Sequence, residues 1–392
     1  MRHIIVIAVI VAFELAFVRP AGAQSNATLV PSVAIGTTHD DNLFARTNGD
    51  AGTMTVVRPS LEANYESPKL TTLSLFSFDM QHSNFPALST VDARRHANID
   101  VKDRTTRKLT LAIGARYDRT ETPGELNLDT GVLGVRQVAY RWEVVPSFAY
   151  RSTTRTTFSG SYTGMTETLV GDIHGVLHVA RAGATHLVTE HEDVGLSYLG
   201  RRFVDNLGHY QSNAVLASFG RDLSSIMRVT LQAGPRMSSY KRTNAEVVAG
   251  FTRYTDQSRL AMDYWHGETM ILGIHGPVAV DTATAKLVFP VTPRSELGVQ
   301  SGVTDSTTLA SERIRVYRAV VLGNWTPNGG AYTFSASYGA EFQQGLIVQS
   351  LFVNDHVMRH TFRIGVTIAP HLSHTFRPTG EVPVVQKQGA AQ

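Results

Sequence analysis

The stretch YQSNAVLASFGRDLSSIMRVTLQAGPR, residues 210–236, alternates apolar and polar side chains on both sides of a polar centre. In its second half the odd positions from Met227 to Ala233 are apolar, whereas the even positions from Arg228 to Gln232 are polar. Successive side chains of a β-strand point to opposite faces, so this alternation predicts a strand with one apolar and one polar face. The first half alternates in the same way, and the polar centre Gly220–Ser225 predicts the turn of a hairpin.

This hairpin pattern recurs along almost the whole chain. Segments of about ten alternating residues are joined in turn by a short polar turn and a longer polar loop, and no helical periodicity competes. About 18 strands, between 16 and 20, are expected, and the fold class is all-β, an antiparallel up-and-down β-barrel. Residues 164–173 are predicted to form one of the longer loops. The strand from His174 to Leu187 alternates poorly and puts Arg181 on its more apolar side.

The N-terminus has the pattern of a cleaved export signal. A charged start is followed by a run from Ile4 to Val18 that is apolar except for Glu14, and then by Ala21-Gly22-Ala23. Such a run is too short to span a bilayer, and no second apolar run of about 20 residues follows. We therefore expect a signal peptide at 1–23, a barrel at 24–376 and a flexible C-terminal tail, placed in the periplasm, at 377–392.

Composition excludes several classes of protein. The chain of 392 residues has no cysteine, which rules out a disulfide scaffold, a lipid-modified N-terminal cysteine, a c-type haem site and a thiolate zinc site. The formal net charge is only +3, so the sequence predicts no nucleic-acid partner. An exported chain of this size without disulfides must be stabilised by a large core or by a closed sheet.

Two architectures fit this alternation: an exported soluble β-protein and a barrel in the outer membrane. Short turns alternating with longer loops favour the membrane barrel. So do aromatic residues at predicted strand ends, namely Tyr65, Tyr117, Tyr150, Tyr162, Tyr264, Phe289, Tyr332 and Tyr338. An open sheet edge is not tolerated in lipid, so the sheet should close on itself, with both termini in the periplasm. Outer-membrane lipid and the barrel-assembly machinery are the expected partners, whereas the oligomeric state is not predicted.

A resemblance to a known family supports the membrane reading. The segment Leu29-Val30-Pro31-Ser32-Val33, continued by His39-Asp40-Asp41-Asn42-Leu43-Phe44, resembles the start of the β-barrel porin-2 family of Gram-negative outer-membrane proteins. The turn units at 189–198, 255–260 and 292–297 are also similar to those of that family. The resemblance implies an outer-membrane barrel, and some members accompany exopolysaccharide assembly genes. It implies no catalytic residues.

The sequence contains no convincing catalytic or metal-binding motif. The acidic segment at 39–42 lacks the glycine spacing of a calcium loop, and the segment at 190–193 lacks the H-E-x-x-H pattern of a zinc site. No G-x-S-x-G elbow is present either. We therefore predict no enzyme, no catalytic residue, no metal and no cofactor.

Charged residues on the polar faces are the candidate functional residues. Those predicted to face the lumen of a barrel are Arg58, Glu62, Arg94, Asp100, Arg116, Asp118, Arg141, Glu143, Arg228, Lys286, Arg359 and Arg363. The same alternation places Glu246, Asp263, Asp281 and Glu296 inside. The arginines could attract anions into a channel, or they could brace the wall by pairing with Glu62, Asp100, Asp118 and Glu143. The sequence leaves both roles open.

Three functions follow from this interpretation. The first is a porin-like pore or conduit for small solutes. The second is a channel that exports an acidic exopolysaccharide, so that polysaccharide becomes a partner; it needs a net positive lumen without matching acids. The third is a non-conducting structural barrel or an enzyme, which a plugging loop at 121–132 or 169–176 would favour.

Overall fold

The computed structural model describes residues 26–45, 49–127, 130–134, 136–170, 174–240, 243–327, 330–345 and 356–369. In these ranges the chain forms eighteen β-strands and two short 3-10 helices, Pro86–Leu88 and Pro123–Glu125. The strands are β1 Asn26–Asp40, β2 Gly52–Glu66, β3 Leu70–Ser83, β4 Thr90–Asp103, β5 Leu109–Thr120, β6 Ala139–Arg151, β7 Thr156–Leu169, β8 His174–Leu187, β9 Glu192–Asp205, β10 His209–Ser224, β11 Met227–Ser238, β12 Asn244–Thr255, β13 Ser258–Thr269, β14 Val278–Thr292, β15 Ser295–Thr307, β16 Arg313–Trp325, β17 Tyr332–Gly345 and β18 His356–Ile368. Within the described part of the chain no helix is long and apolar enough to cross a membrane.

The strands form one closed antiparallel sheet. Each strand pairs with the strands before and after it in the sequence, and β1 also pairs with β18 from Val33↔Ile368 to Asp40↔Thr361. This last pairing joins the two ends of the sheet, so the predicted up-and-down barrel of 18 strands is confirmed. The predicted signal peptide at 1–23 and the tail at 377–392 lie outside the described residues.

The two ends of the barrel differ in the length of their connections. Eight connections between 67–69 and 326–331 contain two to six residues each, and we call their side the short-turn end. The other side, the long-loop end, has connections that include 41–51, 121–138, 270–277 and 346–355. This asymmetry matches the rhythm of short turns and longer loops in the sequence.

A contact across the barrel shows which face of the sheet is inside. The backbone N–H of Leu133, in the β5–β6 loop (121–138), donates a 2.7 Å hydrogen bond to Oε1 of Gln343 on β17. Six strand pairings separate β5 from β17 around the ring, so the loop reaches Gln343 only through the interior. Because paired residues on adjacent strands point to the same side of the sheet, the strand register then identifies the inward residues of every other strand. On β6, for example, Arg141 and Glu143 face inward while Trp142 and Val144 face outward and are exposed.

Three details differ from the sequence-based expectations. The segment Gly220–Ser225 does not form the whole turn, because β10 continues to Ser224 through a register shift between Asp222 and Ser224. Residues 164–169 belong to β7, which leaves only 170–173 as its loop. Hydrogen bonding to both neighbouring strands extends these polar segments beyond what their side chains alone suggest.

The poorly alternating strand is the third difference. Residues His174–Leu187 do form a strand, and Arg181 faces inward together with Leu177 and Val179. Leu177 is buried, and Val179 packs against the buried cluster of Leu199, Ala214 and Leu216 inside the barrel. Apolar residues therefore lie on both faces of this strand, because part of the inner wall is covered by other protein groups.

Apolar packing lies both outside and inside the barrel, but in different places. The outward rows carry exposed apolar residues such as Ile113, Phe148 and Phe334. The buried core is internal, and it lies toward the long-loop end. Its largest cluster contains Val132, Ile271, Ile274, Val278, Val280, Ile314 and Val316, which come from two loops and the inner wall.

Candidate functional site: the interior of the barrel

The interior surface carries the charged residues that the sequence singled out. Strand register places on the inward face Arg58, Glu62, Arg94, Asp100, Arg116, Asp118, Arg141, Glu143, Arg228, Lys286, Arg359 and Arg363. Asp263 and Glu296 also face inward, but Asp281 does not. Asp281 lies outside, where it accepts hydrogen bonds from Tyr264 and contacts His266. Asp281 shares the odd positions of the apolar row Ala283, Ala285 and Leu287 of β14, so its prediction as an inward residue was wrong.

Most of these arginines make ion pairs along the inner wall. Their carboxylate partners come from neighbouring strands or loops, with Arg58 donating to Asp79 at 2.6 Å, Arg141 to Glu167 at 2.6 Å, Arg228 to Asp222 at 2.8 Å and Arg359 to Asp40 at 2.6 Å. Asp118 is held by His96, with 2.6 Å between Oδ1 and Nδ1. Asp79, Glu167 and Asp40 were not expected as partners, because each arginine has neighbours on two strands and the sequence does not choose between them.

The acidic segment at the end of β1 closes the barrel. Asp40 is buried and accepts hydrogen bonds from Arg359, while Asp41 accepts one from the backbone N–H of His360. Asn42 donates to the carbonyl of Met358 at 2.9 Å. These contacts join the first strand to the last. Among the described residues, no group of three or more His, Asp or Glu side chains could hold a metal ion.

Two loops fold into the long-loop end of the barrel. Asn127 of the β5–β6 loop donates to the carbonyl of Val132 and accepts a 2.9 Å hydrogen bond from the N–H of Leu272 in the β13–β14 loop (270–277). Leu126 and Leu272 belong to one buried cluster with residues of the wall. The loop segment 121–132 was one of the two candidates for a plug, and the structure places its described residues inside the barrel.

The β5–β6 loop also brings a carboxylate opposite a group of arginines. Glu125 lies 3.7 Å from Nη1 of Arg94, and it accepts a 2.9 Å hydrogen bond from the hydroxyl of Thr120. Arg58 and Arg363 also act electrostatically on Glu125. We call the four groups Glu125, Arg58, Arg94 and Arg363 the constriction, because here the loop faces the wall.

Water reaches the constriction. The side chains of Glu125, Arg58 and Arg94 keep 39%, 31% and 22% of their accessible surface. Enclosure in the barrel by itself raises the pKa of Glu125, but Arg94, the Thr120 hydroxyl and the two further arginines together hold that pKa below its ordinary value. The constriction therefore combines a fixed negative charge on the loop with positive charges on the wall.

The half of the interior near the short turns is less densely packed. Near the long loops the inward residues Val280, Ile314 and Gln343 are fully buried. Toward the short turns, inward residues such as Lys286 and Asp263 are only half-buried. The interior is therefore packed toward the long-loop end, whereas toward the short-turn end its charged wall is partly accessible to solvent.

A buried charge network stiffens the wall beside the packed part. Glu246 accepts hydrogen bonds from Arg201 at 2.7 and 3.0 Å and from Arg236 at 2.9 Å, and Arg236 also contacts Glu268 at 3.1 Å. Glu268 accepts a hydrogen bond from Tyr240 in the β11–β12 loop, and burial together with this carboxylate raises the pKa of that phenol. The alternation correctly placed Glu246 on the inward face, but Arg201 and Arg236 were not predicted as its partners, although their inward positions follow from the same alternation.

Several solved structures are similar to this chain over most of its length. The crystal structure of a BenF-like porin from Pseudomonas fluorescens Pf-5 is similar over 88% of this chain and 99% of that chain, with a TM-score of 0.50 and 9% identity. Acinetobacter baumannii OccAB4 has a TM-score of 0.49 at 9% identity, covering 88% and 98% of the two chains. Pseudomonas aeruginosa OpdQ has a TM-score of 0.48 at 10% identity, covering 88% and 99%.

The first of these similarities shows that the chain has the barrel fold of a porin. No protein-family profile matches the chain, and no curated protein sequence matches it. Membership of the porin-2 family therefore stays a prediction from the short motifs.

Proposed function

We propose that the chain forms an outer-membrane channel through which small polar solutes diffuse. The observation that carries this proposal is the contrast between the two faces of the closed sheet. The outward rows are apolar and exposed, as lipid requires, whereas the inward rows carry charges that water reaches. An 18-stranded barrel is wide enough to leave an aqueous channel unless loops fill it. The export signal read from the sequence is consistent with this location.

The mechanism is diffusion past fixed charges, without covalent chemistry. A solute that enters at the long-loop end passes beside the ion pair of Glu125 and Arg94 and past the wall arginines Arg58 and Arg363. Opposite charges on two sides of a narrow passage create a transverse field, which orients dipolar solutes and selects among ions. Toward the short-turn end the solute then meets a charged wall whose side chains are half-buried.

The polysaccharide exporter gains no support from the charge arrangement. Such a channel needs positive charges along its lumen without matching acids. Arg58, Arg141 and Arg359 instead have a carboxylate within 3 Å, which favours a channel of mixed charge. A non-conducting barrel is the alternative that a specific observation favours, because the β5–β6 loop crosses the interior to reach β17.

Single-channel recording decides between a channel and a closed barrel. The mature chain, refolded into a planar bilayer, should show stable conductance, and a salt gradient should give a reversal potential that reports its ion selectivity. Insertion without conductance would establish the closed barrel. Failure of the folded chain to insert would point to an exported soluble β-protein.

A further inference from the structure

One part of the outward surface, near the long-loop end of β8, β9 and β10, carries a guanidinium and three imidazoles, and its described residues include no carboxylate. Arg202 on β9 faces outward and is exposed, and register places it directly between His178 of β8 and Gln211 of β10. His209 and His174 also face outward, one and two outward positions further toward the long loops. We call these five residues the cationic patch.

Two outward arginines elsewhere on the barrel are bound by carboxylates. Arg95 makes a two-pronged ion pair with Asp92 at 2.7 Å, and Arg313 is bound by Asp305. In contrast, the described outward positions of β7 to β11 contain one carboxylate, that of Glu192, which lies at the short-turn end near Arg221. The cationic patch therefore stands out in that its guanidinium faces imidazole and amide groups.

The surface on the barrel side of the patch is suited to acyl chains. Tyr162 and Tyr198 lie outward on the side toward the short turns; the Tyr162 hydroxyl is 2.6 Å from Nδ1 of His178. Ala180 pairs directly with Tyr162 and Ala182 with Tyr198, and together with Ala184 these outward positions of β8 form a shallow apolar strip. Tyrosines mark the level at which an apolar band meets the polar headgroups.

We propose that the cationic patch binds a phosphate group of an anionic lipid in the outer leaflet. This inference rests on the proposed placement of the barrel in the outer membrane. A guanidinium at headgroup level without a carboxylate partner is stabilised by a phosphate, because the pairing is charge-assisted and two-pronged. The side-chain amide of Gln211 supplies a further donor, and the acyl chains of the same lipid lie along the alanine strip.

The test is retention of bisphosphorylated lipid A by the refolded mature chain, measured by native mass spectrometry in detergent. Arg202→Gln should weaken retention about tenfold, which corresponds to the loss of one charge-assisted hydrogen bond. The matched control is Arg313→Gln, because Arg313 also faces outward at the long-loop end but is already bound by Asp305. Lipid A without its phosphates should bind no better than the Arg202→Gln variant binds the intact lipid.

Each other outcome overturns the assignment. An equal loss of lipid A retention in Arg202→Gln and Arg313→Gln would mean that lipid binding depends only on the overall charge of the protein. Displacement by inorganic phosphate at the same concentration would show that the patch recognises the free ion rather than a lipid. Conductance of the same variants in phosphatidylcholine bilayers separates the two proposals. If the chain conducts but its lipid retention is unchanged by Arg202→Gln, only the proposed lipid site is refuted. If the chain does not insert, the proposed channel and the proposed lipid site are both refuted.

Discussion

Replacing Glu125 with glutamine removes the negative charge of the constriction and keeps the shape of the side chain. The carboxylate lies 3.7 Å from Arg94 and acts on any ion that passes between loop and wall. A unit charge at such a distance changes the energy of an ion by about 1 kcal/mol in water and by about 4 kcal/mol near a protein surface. Because Glu125 keeps 39% of its surface exposed, the lower value applies.

A change of about 1 kcal/mol corresponds to roughly a fivefold change in relative permeability. Since a negative charge is lost, chloride is stabilised and potassium destabilised by about 1 kcal/mol each, so the permeability ratio of chloride to potassium should rise roughly 30-fold in Glu125→Gln. The assay is the reversal potential of the refolded chain in a planar bilayer under a gradient of potassium chloride. The matched control is Glu121→Gln in the same loop, whose carboxylate lies 3.4 Å from Arg136 rather than at the constriction.

The pH dependence follows from the lowered pKa of Glu125. A carboxylate with a depressed pKa stays ionised as the pH falls through about 4.3, the ordinary value, and loses its charge only below that. The difference between wild type and Glu125→Gln should therefore persist at pH 5. An unchanged reversal potential in Glu125→Gln, or an equal shift in Glu121→Gln, would refute the idea that ions pass this carboxylate.

Three further predictions concern the wall and the loop. Val144→Arg, on the outward face, should lower the free energy of unfolding in lipid by about 2–4 kcal/mol, whereas Val145→Arg on the inward face should change it little; equal costs would refute the assignment of faces. Glu246→Gln should lower the free energy of unfolding, measured by urea titration in lipid, by about 3 kcal/mol, because two buried guanidiniums lose their shared carboxylate. Glu296→Gln is the inward control, and indistinguishable titration curves for the two variants would argue against the network. Gln343→Leu removes the acceptor that holds the β5–β6 loop and should raise single-channel conductance, so an unchanged conductance would show that this bond does not hold the loop in place.

The alternation of side chains was sufficient to predict strands and their faces. In the stretch at 210–236 the outward row from Val215 to Phe219 is where the pattern placed it, because the period of a strand is a local property of the backbone. The end of β10 was not predictable in the same way. Its polar residues up to Ser224 pair with two neighbouring strands, and such pairing depends on register rather than on side-chain type.

The arrangement of the interior was not predictable from the same pattern. Alternation placed Arg94 inside, but nothing local to β4 indicates that its carboxylate partner is Glu125 of a loop that folds inward. The hydrogen bond between Leu133 and Gln343 likewise joins residues 210 positions apart in the sequence. Contacts across a lumen depend on how wide the barrel is and on where each loop enters it.

The sequence by itself therefore determined the all-β class, the approximate number of strands and, with the exception of Asp281, the face of the charged residues that were predicted to line the lumen. Only the tertiary structure decided that β1 closes on β18, that the β5–β6 loop narrows the interior, and that Arg202 lies between groups that carry no negative charge. The physical reason is that alternation follows from neighbouring dihedral angles. Ring closure, cross-lumen contacts and outward patches arise only when strands that are distant in sequence are brought into register.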